Sequence, residues 1–115
     1  MDNARVYRYA FSSIYPLYVQ KVEKKGRTRD ELDTVIGWLT GFDRAEMQRH
    51  IDDGSTLEEF FAAADLNPAS EQITGVICGV RIEQIEEPLM KKIRYLDKVV
   101  DELAKGRALE RIMRA

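Results

Sequence analysis

Ile73-Thr74-Gly75-Val76-Ile77-Cys78-Gly79-Val80-Arg81-Ile82 is the stretch on which the fold class turns. Thr74, Val76, Cys78, Val80 and Ile82 alternate with Gly75, Ile77, Gly79 and Arg81, which is the period of a strand. Ile73, Val76, Ile77 and Val80 also share one face of a helix. The segment is apolar almost all round, as a buried central helix is. Periodicity does not separate the two. The flanking sequence favours helix: Asn67-Pro68 has the form of an N-cap followed by proline at the first helical position, and the surrounding segments have helical spacing. The expectation is therefore a helix over 73–82. Gly75 and Gly79, four apart, would then form a face for close helix packing, and Cys78 would lie in the core.

Working outward, the helix signals are local and strong. Thr28 and Glu31 form a capping box, followed by Leu32, Val35, Ile36 and Leu39 at the spacing of one buried face, with Gly41 as the stop. Gly37 inside this helix costs roughly 1 kcal/mol relative to Ala, which points to close approach of another backbone. Asp43 and Glu46 start the next helix, with Met47 and Ile51 inward and Gly54 closing it. Ser55 or Thr56, with Glu58 or Glu59, starts another, with Leu57, Phe60, Phe61 and Ala64 inside. Downstream, Pro88 opens a long helix whose Leu89, Ile93, Leu96, Val100 and Leu103 step by 4, 3, 4, 3, a heptad seam. It covers about two heptads, short for a zipper, so docking within the chain is expected. Gly106 breaks the helix, and Leu109, Ile112 and Met113 form a short terminal one.

Toward the N-terminus, a helix is expected over about 13–25, with Pro16 in its first turn, Ile14, Leu17, Tyr18 and Val22 on its inner face, and Gly26 as its cap. Arg5-Val6-Tyr7-Arg8-Tyr9-Ala10-Phe11 is aromatic and basic and has no partner strand. It is read as an extended arm on the domain. The expected fold is all-α: one compact domain over 1–115, about six helices with an extended N-terminal arm.

Bulk composition narrows the classes. With 115 residues, 44% hydrophobic and 33% charged, the chain has one core and solvated helical faces. A net charge of −2 is far from that of a dedicated nucleic-acid binder. Charge is nonetheless polarised. Residues 21–29 hold five basic side chains (Lys21, Lys24, Lys25, Arg27, Arg29) against Glu23, whereas 52–71 holds six acids and no Lys or Arg. A single cysteine rules out an internal disulfide and suits a reduced, cytoplasmic protein. No leader peptide or membrane span is expected, since Asp2, Arg5 and Arg8 interrupt the N-terminus.

Four stretches taken together are distinctive: Lys24-Lys25-Gly26-Arg27-Thr28 within 19–29; Trp38-Leu39-Thr40-Gly41; Ile73 to Gly79; and Ile93-Arg94-Tyr95-Leu96-Asp97-Lys98 followed by Asp101 to Gly106. The combination resembles the uncharacterised bacterial family catalogued as domain of unknown function 2200, over almost the whole chain. The resemblance implies a stand-alone, helical, cytosolic domain. It assigns no activity, so it supplies no catalytic residue.

The residues with chemistry are few. His50 is the only histidine, so a multi-histidine zinc site is unavailable and a surface or boundary position is expected. Neighbouring carboxylates at 52/53, 58/59 and 86/87 diverge on a helix, because successive residues are about 100° apart. Asp97 and Asp101 share a face, with Arg94 and Lys98 beside them, the pattern of an ion-pair ladder. No phosphate-loop, dinucleotide, zinc-protease or paired-cysteine motif is present. No metal and no cofactor is expected.

Helices two and three, about 28–54, have the lengths of a helix-turn-helix. Arg44, Gln48 and Arg49 would face bases or phosphates, with Lys24, Lys25, Arg27 and Arg29 as further contacts. Thr40 occupies a turn position usually apolar in that motif, and Glu46, Asp52 and Asp53 would repel phosphate. Packing is the stronger role for that pair. The leading expectation is a non-enzymatic binding or regulatory module with a protein partner, monomeric or homodimeric, with no membrane contact. The first alternative is nucleic-acid binding. The second is a small enzyme, which requires Trp38, Arg94, Tyr95 and Asp97 to converge on one pocket.

Overall fold

The capping signals act where the sequence carries them. The computed structural model describes residues 3–114. Its helices are α1 Asn3–Tyr7, α2 Phe11–Glu23, α3 Arg29–Thr40, α4 Arg44–Asp53, α5 Leu57–Ala63, α6 Pro88–Ala104 and α7 Leu109–Ile112. Thr28, Asp43 and Thr56 each accept from the backbone N–H three residues on, and Glu31, Glu46 and Glu59 each accept from the cap's own N–H. Three capping boxes thus start α3, α4 and α5, the last with Thr56 and Glu59 as the pair.

The segment 73–82 is a hairpin and not a helix. Strands β1 (Val76–Ile77) and β2 (Val80–Arg81) pair antiparallel, with Val76 opposite Arg81 and Ile77 opposite Val80. Cys78 and Gly79 make the turn with φ of 52° and 76°. Two positive values in a two-residue loop are the geometry whose twist matches the strands. Gly75, at φ 101°, turns the chain into the hairpin, and its carbonyl accepts from the N–H of Ile82 at 2.9 Å. The two glycines therefore supply backbone freedom and not a helix-packing face. Ile73, Ile77 and Ile82 are buried, while Val76 and Val80 are exposed. Cys78 is exposed at the tip and not in the core. Asn67-Pro68 does start helical structure, but only a 3₁₀ turn, Pro68–Gln72, in which Asn67 Oδ1 accepts from the N–H of Ala69.

The N-terminal arm is also helical rather than extended. In α1 the chain closes local hydrogen bonds, the N–H groups of Arg8 and Tyr9 donating to Arg5 O and Val6 O, which an extended arm does not, and Val6 and Tyr7 pack against the core. The Tyr7 hydroxyl donates to Glu87. The N–H of Leu57 donates to Tyr9 O, and that of Phe11 to Ser55 O, both at 2.8 Å, tying the entry of α2 to the start of α5.

α6 fills the role of central helix. Met90, Ile93, Tyr95, Leu96, Val99, Val100, Leu103 and Ala104 are all buried, against α2, α3, α5, α7 and β1. α2 begins two residues earlier than the spacing predicts, so Pro16 lies inside it and not in its first turn. Phe11 is fully buried, stacked on Phe60 with ring centroids 4.1 Å apart. That anchor rotates the inner face to Phe11, Tyr15 and Val22 and leaves Leu17, expected inside, 60% exposed. Between α3 and α4, a Cβ on Gly37 would stand 3.0 Å from the Phe42 carbonyl oxygen, so the three-residue turn approaches α3 closely at that glycine. Buried Thr40 donates to Ile36 O at 2.8 Å and accepts from the N–H of Phe42, which explains a hydroxyl in an apolar turn position. Among the described residues no helix is long and apolar enough to cross a membrane.

Candidate functional site

α2 and α4 run side by side and leave a groove between them. Tyr15, Pro16, Val19 and Gln20 form one wall, Gln48 and Ile51 the other, and Arg29, the first residue of α3, closes one end. Its volume is about 400 Å³. It adjoins a second cleft of about 340 Å³, where Asp30, Asp33, Arg44 and Met47 join the lining. The i, i+4 spacing of Tyr15, Val19 and of Pro16, Gln20 places these side chains in rows along α2.

A polar network holds the closed end. Tyr15 is 5% exposed. Its hydroxyl donates to Asp33 and accepts from Arg29 Nε at 3.0 Å. The Arg29 guanidinium carbon lies 5.3 Å from the Tyr15 ring centroid, within range of a cation–π attraction. Burial, and then the bond to Asp33, raise the Tyr15 phenol above its ordinary value. The Tyr15 bond raises Arg29 in turn. Arg29 is thus fixed through Nε, and its Nη atoms make no hydrogen bond among the described residues. Arg44 pairs with Asp30 at 2.9 Å with both side chains exposed, a pair that adds little stability. An apolar floor, one oriented guanidinium and two carboxylates are groups that bind and orient a partner.

The structure divides the sequence-predicted contacts. Arg29, Arg44 and Gln48 come together at the groove. Lys24 and Lys25 are exposed at the end of α2, with Lys24 one turn beyond Gln20 on the same side. Arg27 turns away: it pairs with Glu31 at 2.7 Å and donates to Arg107 O at 2.9 Å. Gln48 donates to Asp52 at 2.9 Å, and Arg49 is exposed on α4.

The four residues proposed for a pocket do not converge. Arg94 pairs with Asp97 at 2.9 Å, and Asp97 accepts from the Tyr18 hydroxyl at 2.6 Å. Tyr95 lines a different cleft, with Leu66 and Glu71. Trp38 is half-buried against the core. Asp97 and Asp101 take different cations, since Asp101 bridges Lys21 at 3.2 Å and Lys105 at 3.0 Å. His50 sits at the core boundary, its Nδ1 2.8 Å from Ser55 Oγ and its ring against Phe42. Tyr15, Pro16, Val19 and Asp33 were not singled out by sequence. The one signal for them is that Tyr15 and Val19 lie a turn apart, within a helix whose inner face Phe11 sets.

The molecule is therefore a small, mostly helical globule with a groove on its α2–α4 side. The chain belongs to domain of unknown function 2200, a family described as an uncharacterized protein conserved in bacteria, which matches residues 5–114. It is similar to a solved structure described as the crystal structure of uncharacterized protein SP1917: 39% identity, TM-score 0.91, covering 99% of this chain and 93% of that one. No curated protein matches the chain.

Proposed function

We propose that the protein is a non-enzymatic binding module whose partner is a protein segment seated in the α2–α4 groove. The segment presents an apolar side chain to Pro16, Val19 and Ile51 and a carboxylate to Arg29. The observation that carries this is the free end of the Arg29 guanidinium beside an apolar floor, held in place by a buried tyrosine. Arginine and tyrosine around a partly desolvated pocket are the residues that dominate protein interfaces. Charge selects an acidic partner: Asp33 is occupied by Tyr15 and Asp30 by Arg44, whereas Lys24 and Lys25 extend positive charge from the Arg29 end. Nucleic-acid binding has weaker support. Arg44 and Gln48 on α4 are each bonded to an acidic side chain, and Asp52 and Asp53 share that helix.

The test is selection of a displayed random-peptide library on the purified protein, followed by titration of the selected peptides. Enriched sequences with a bulky apolar residue next to Asp or Glu, bound at least tenfold more weakly by Arg29→Glu and by Val19→Glu, support the assignment. Enrichment insensitive to both substitutions contradicts it. Labelled duplex and single-stranded nucleic acid titrated at two salt concentrations form the companion arm. Salt-sensitive binding weakened by replacing Arg44 and Arg49 would transfer the assignment to nucleic acid.

A further inference from the structure

The cleft lined by Tyr95 lies away from the groove. It is formed by the 3₁₀ turn Pro68–Gln72 and the first two turns of α6, and it holds about 400 Å³, a size suited to a small metabolite. Two hydroxyl-bearing side chains line it while almost entirely buried: Ser70 is 4% exposed and Tyr95 6%. Neither hydroxyl has a hydrogen-bond partner among the described residues. Glu102 Oε1 is the one side-chain oxygen among them that is both sealed from solvent and unpaired. Ser70 Oγ and Tyr95 Oη are therefore not sealed, and both residues line the cleft. Hydroxyls with no partner within the protein are free to donate, and a ligand that accepts from both makes two hydrogen bonds without breaking any internal one.

Charge indicates what that ligand is. Lys91 and Lys92 line the same cleft, and neither has an ion-pair partner among the described residues. The N-terminal end of α6, at Pro88, also faces it and adds the positive pole of a 17-residue helix. Among the lining residues Glu71 is the one acid, exposed and close enough to Tyr95 to help raise its phenol after burial has done so. Two ammoniums, two hydroxyl donors and a helix pole match a phosphoryl group. Leu66 and Pro68 give an organic body an apolar wall, and Glu71 accepts from an amino or hydroxyl group on it. We propose that this cleft binds a small organic phosphate carrying an amino or hydroxyl group.

The probe is free O-phosphoethanolamine, titrated into the uniformly ¹⁵N-labelled protein at constant ionic strength, with inorganic phosphate and ethanolamine in parallel. The expected result is saturable amide shifts confined to Ala69–Glu71 and Lys91–Tyr95, with tighter binding of phosphoethanolamine than of phosphate and none of ethanolamine. Tyr95→Phe, and independently Ser70→Ala outside the central helix, each weaken binding about tenfold, and Lys91→Gln with Lys92→Gln weakens it further. Shifts spread over the exposed lysines, binding unchanged by Ser70→Ala, phosphate binding as tightly as the organic probe, or association only with phosphatidylethanolamine vesicles would each overturn the assignment.

Discussion

Tyr18 shows how one side chain joins packing to polarity. It is partly buried, and its hydroxyl donates to Asp97, which Arg94 also holds. Burial first, and then the Asp97 carboxylate, drive its phenol well above the ordinary value of 10.0. Burial and Glu87 likewise push Tyr7 up to about 12. A raised phenol is neutral in the fold while the unfolded chain ionises near 10. Its contribution is therefore complete below pH 10 and is lost as pH climbs from there through the folded value. Urea midpoints measured between pH 9 and 12 should fall steeply above 10. Tyr18→Phe should cost about 1 kcal/mol at pH 7. It should also flatten the alkaline limb by up to about 1.36 kcal/mol per pH unit, the weight of one proton. An unchanged limb would mean that Tyr18 does not titrate as its surroundings require.

At the scale of elements, what the sequence reveals is what neighbours along the chain decide. Thr28 with Glu31, Asp43 with Glu46, and Pro88 followed by a heptad seam are complete within a few residues, and α3, α4 and α6 begin where those signals stand. The hairpin is different. Its alternation of Thr74, Val76, Cys78, Val80 and Ile82 is genuine, but so is the helical face of Ile73, Ile77 and Val80, and Cys78-Gly79 is not among the dipeptides that announce a tight hairpin. Only docking on α6, where Lys98 donates to Val76 O at 3.2 Å, decides between them. The groove was hidden for a related reason. Tyr15, Arg29 and Ile51 come from three helices, and no spacing within one of them reports the meeting.

The hairpin carries its own prediction. Cysteine at φ 52° bears a left-handed strain that asparagine tolerates better. Cys78→Asn should raise stability by about 0.5 kcal/mol, and the wild-type thiol should react completely with a thiol reagent without denaturant. A thiol that reacts only on unfolding would place the segment back in the core.

For the whole molecule, the energetic centre is α6. Leu96 is fully buried at its middle, and Leu96→Ala should cost 2–5 kcal/mol, within about the range for a large cavity, read as a lower urea midpoint with the far-ultraviolet spectrum intact before the transition. A second dependence lies at its end. Glu102 Oε2 accepts from Arg107 at 2.9 Å and from Arg114 at 2.8 Å, fastening α7 against the core. Glu102→Gln should loosen that clasp by about 2 kcal/mol. Faster amide exchange at Leu109–Met113 than elsewhere is the expected signature.

The position of α6 in the chain has a consequence during synthesis. The helices that leave the ribosome first, α2 to α5, bury Phe11, Val22, Leu32, Leu39 and Phe60 against one another and against a helix that is made after them. Until residue 104 has emerged, those apolar faces lack their cover. The nascent chain should then expose apolar surface that the finished fold covers. Ribosomes stalled with α6 still in the exit tunnel should display chains sensitive to protease, and stalling some tens of residues later should abolish that sensitivity.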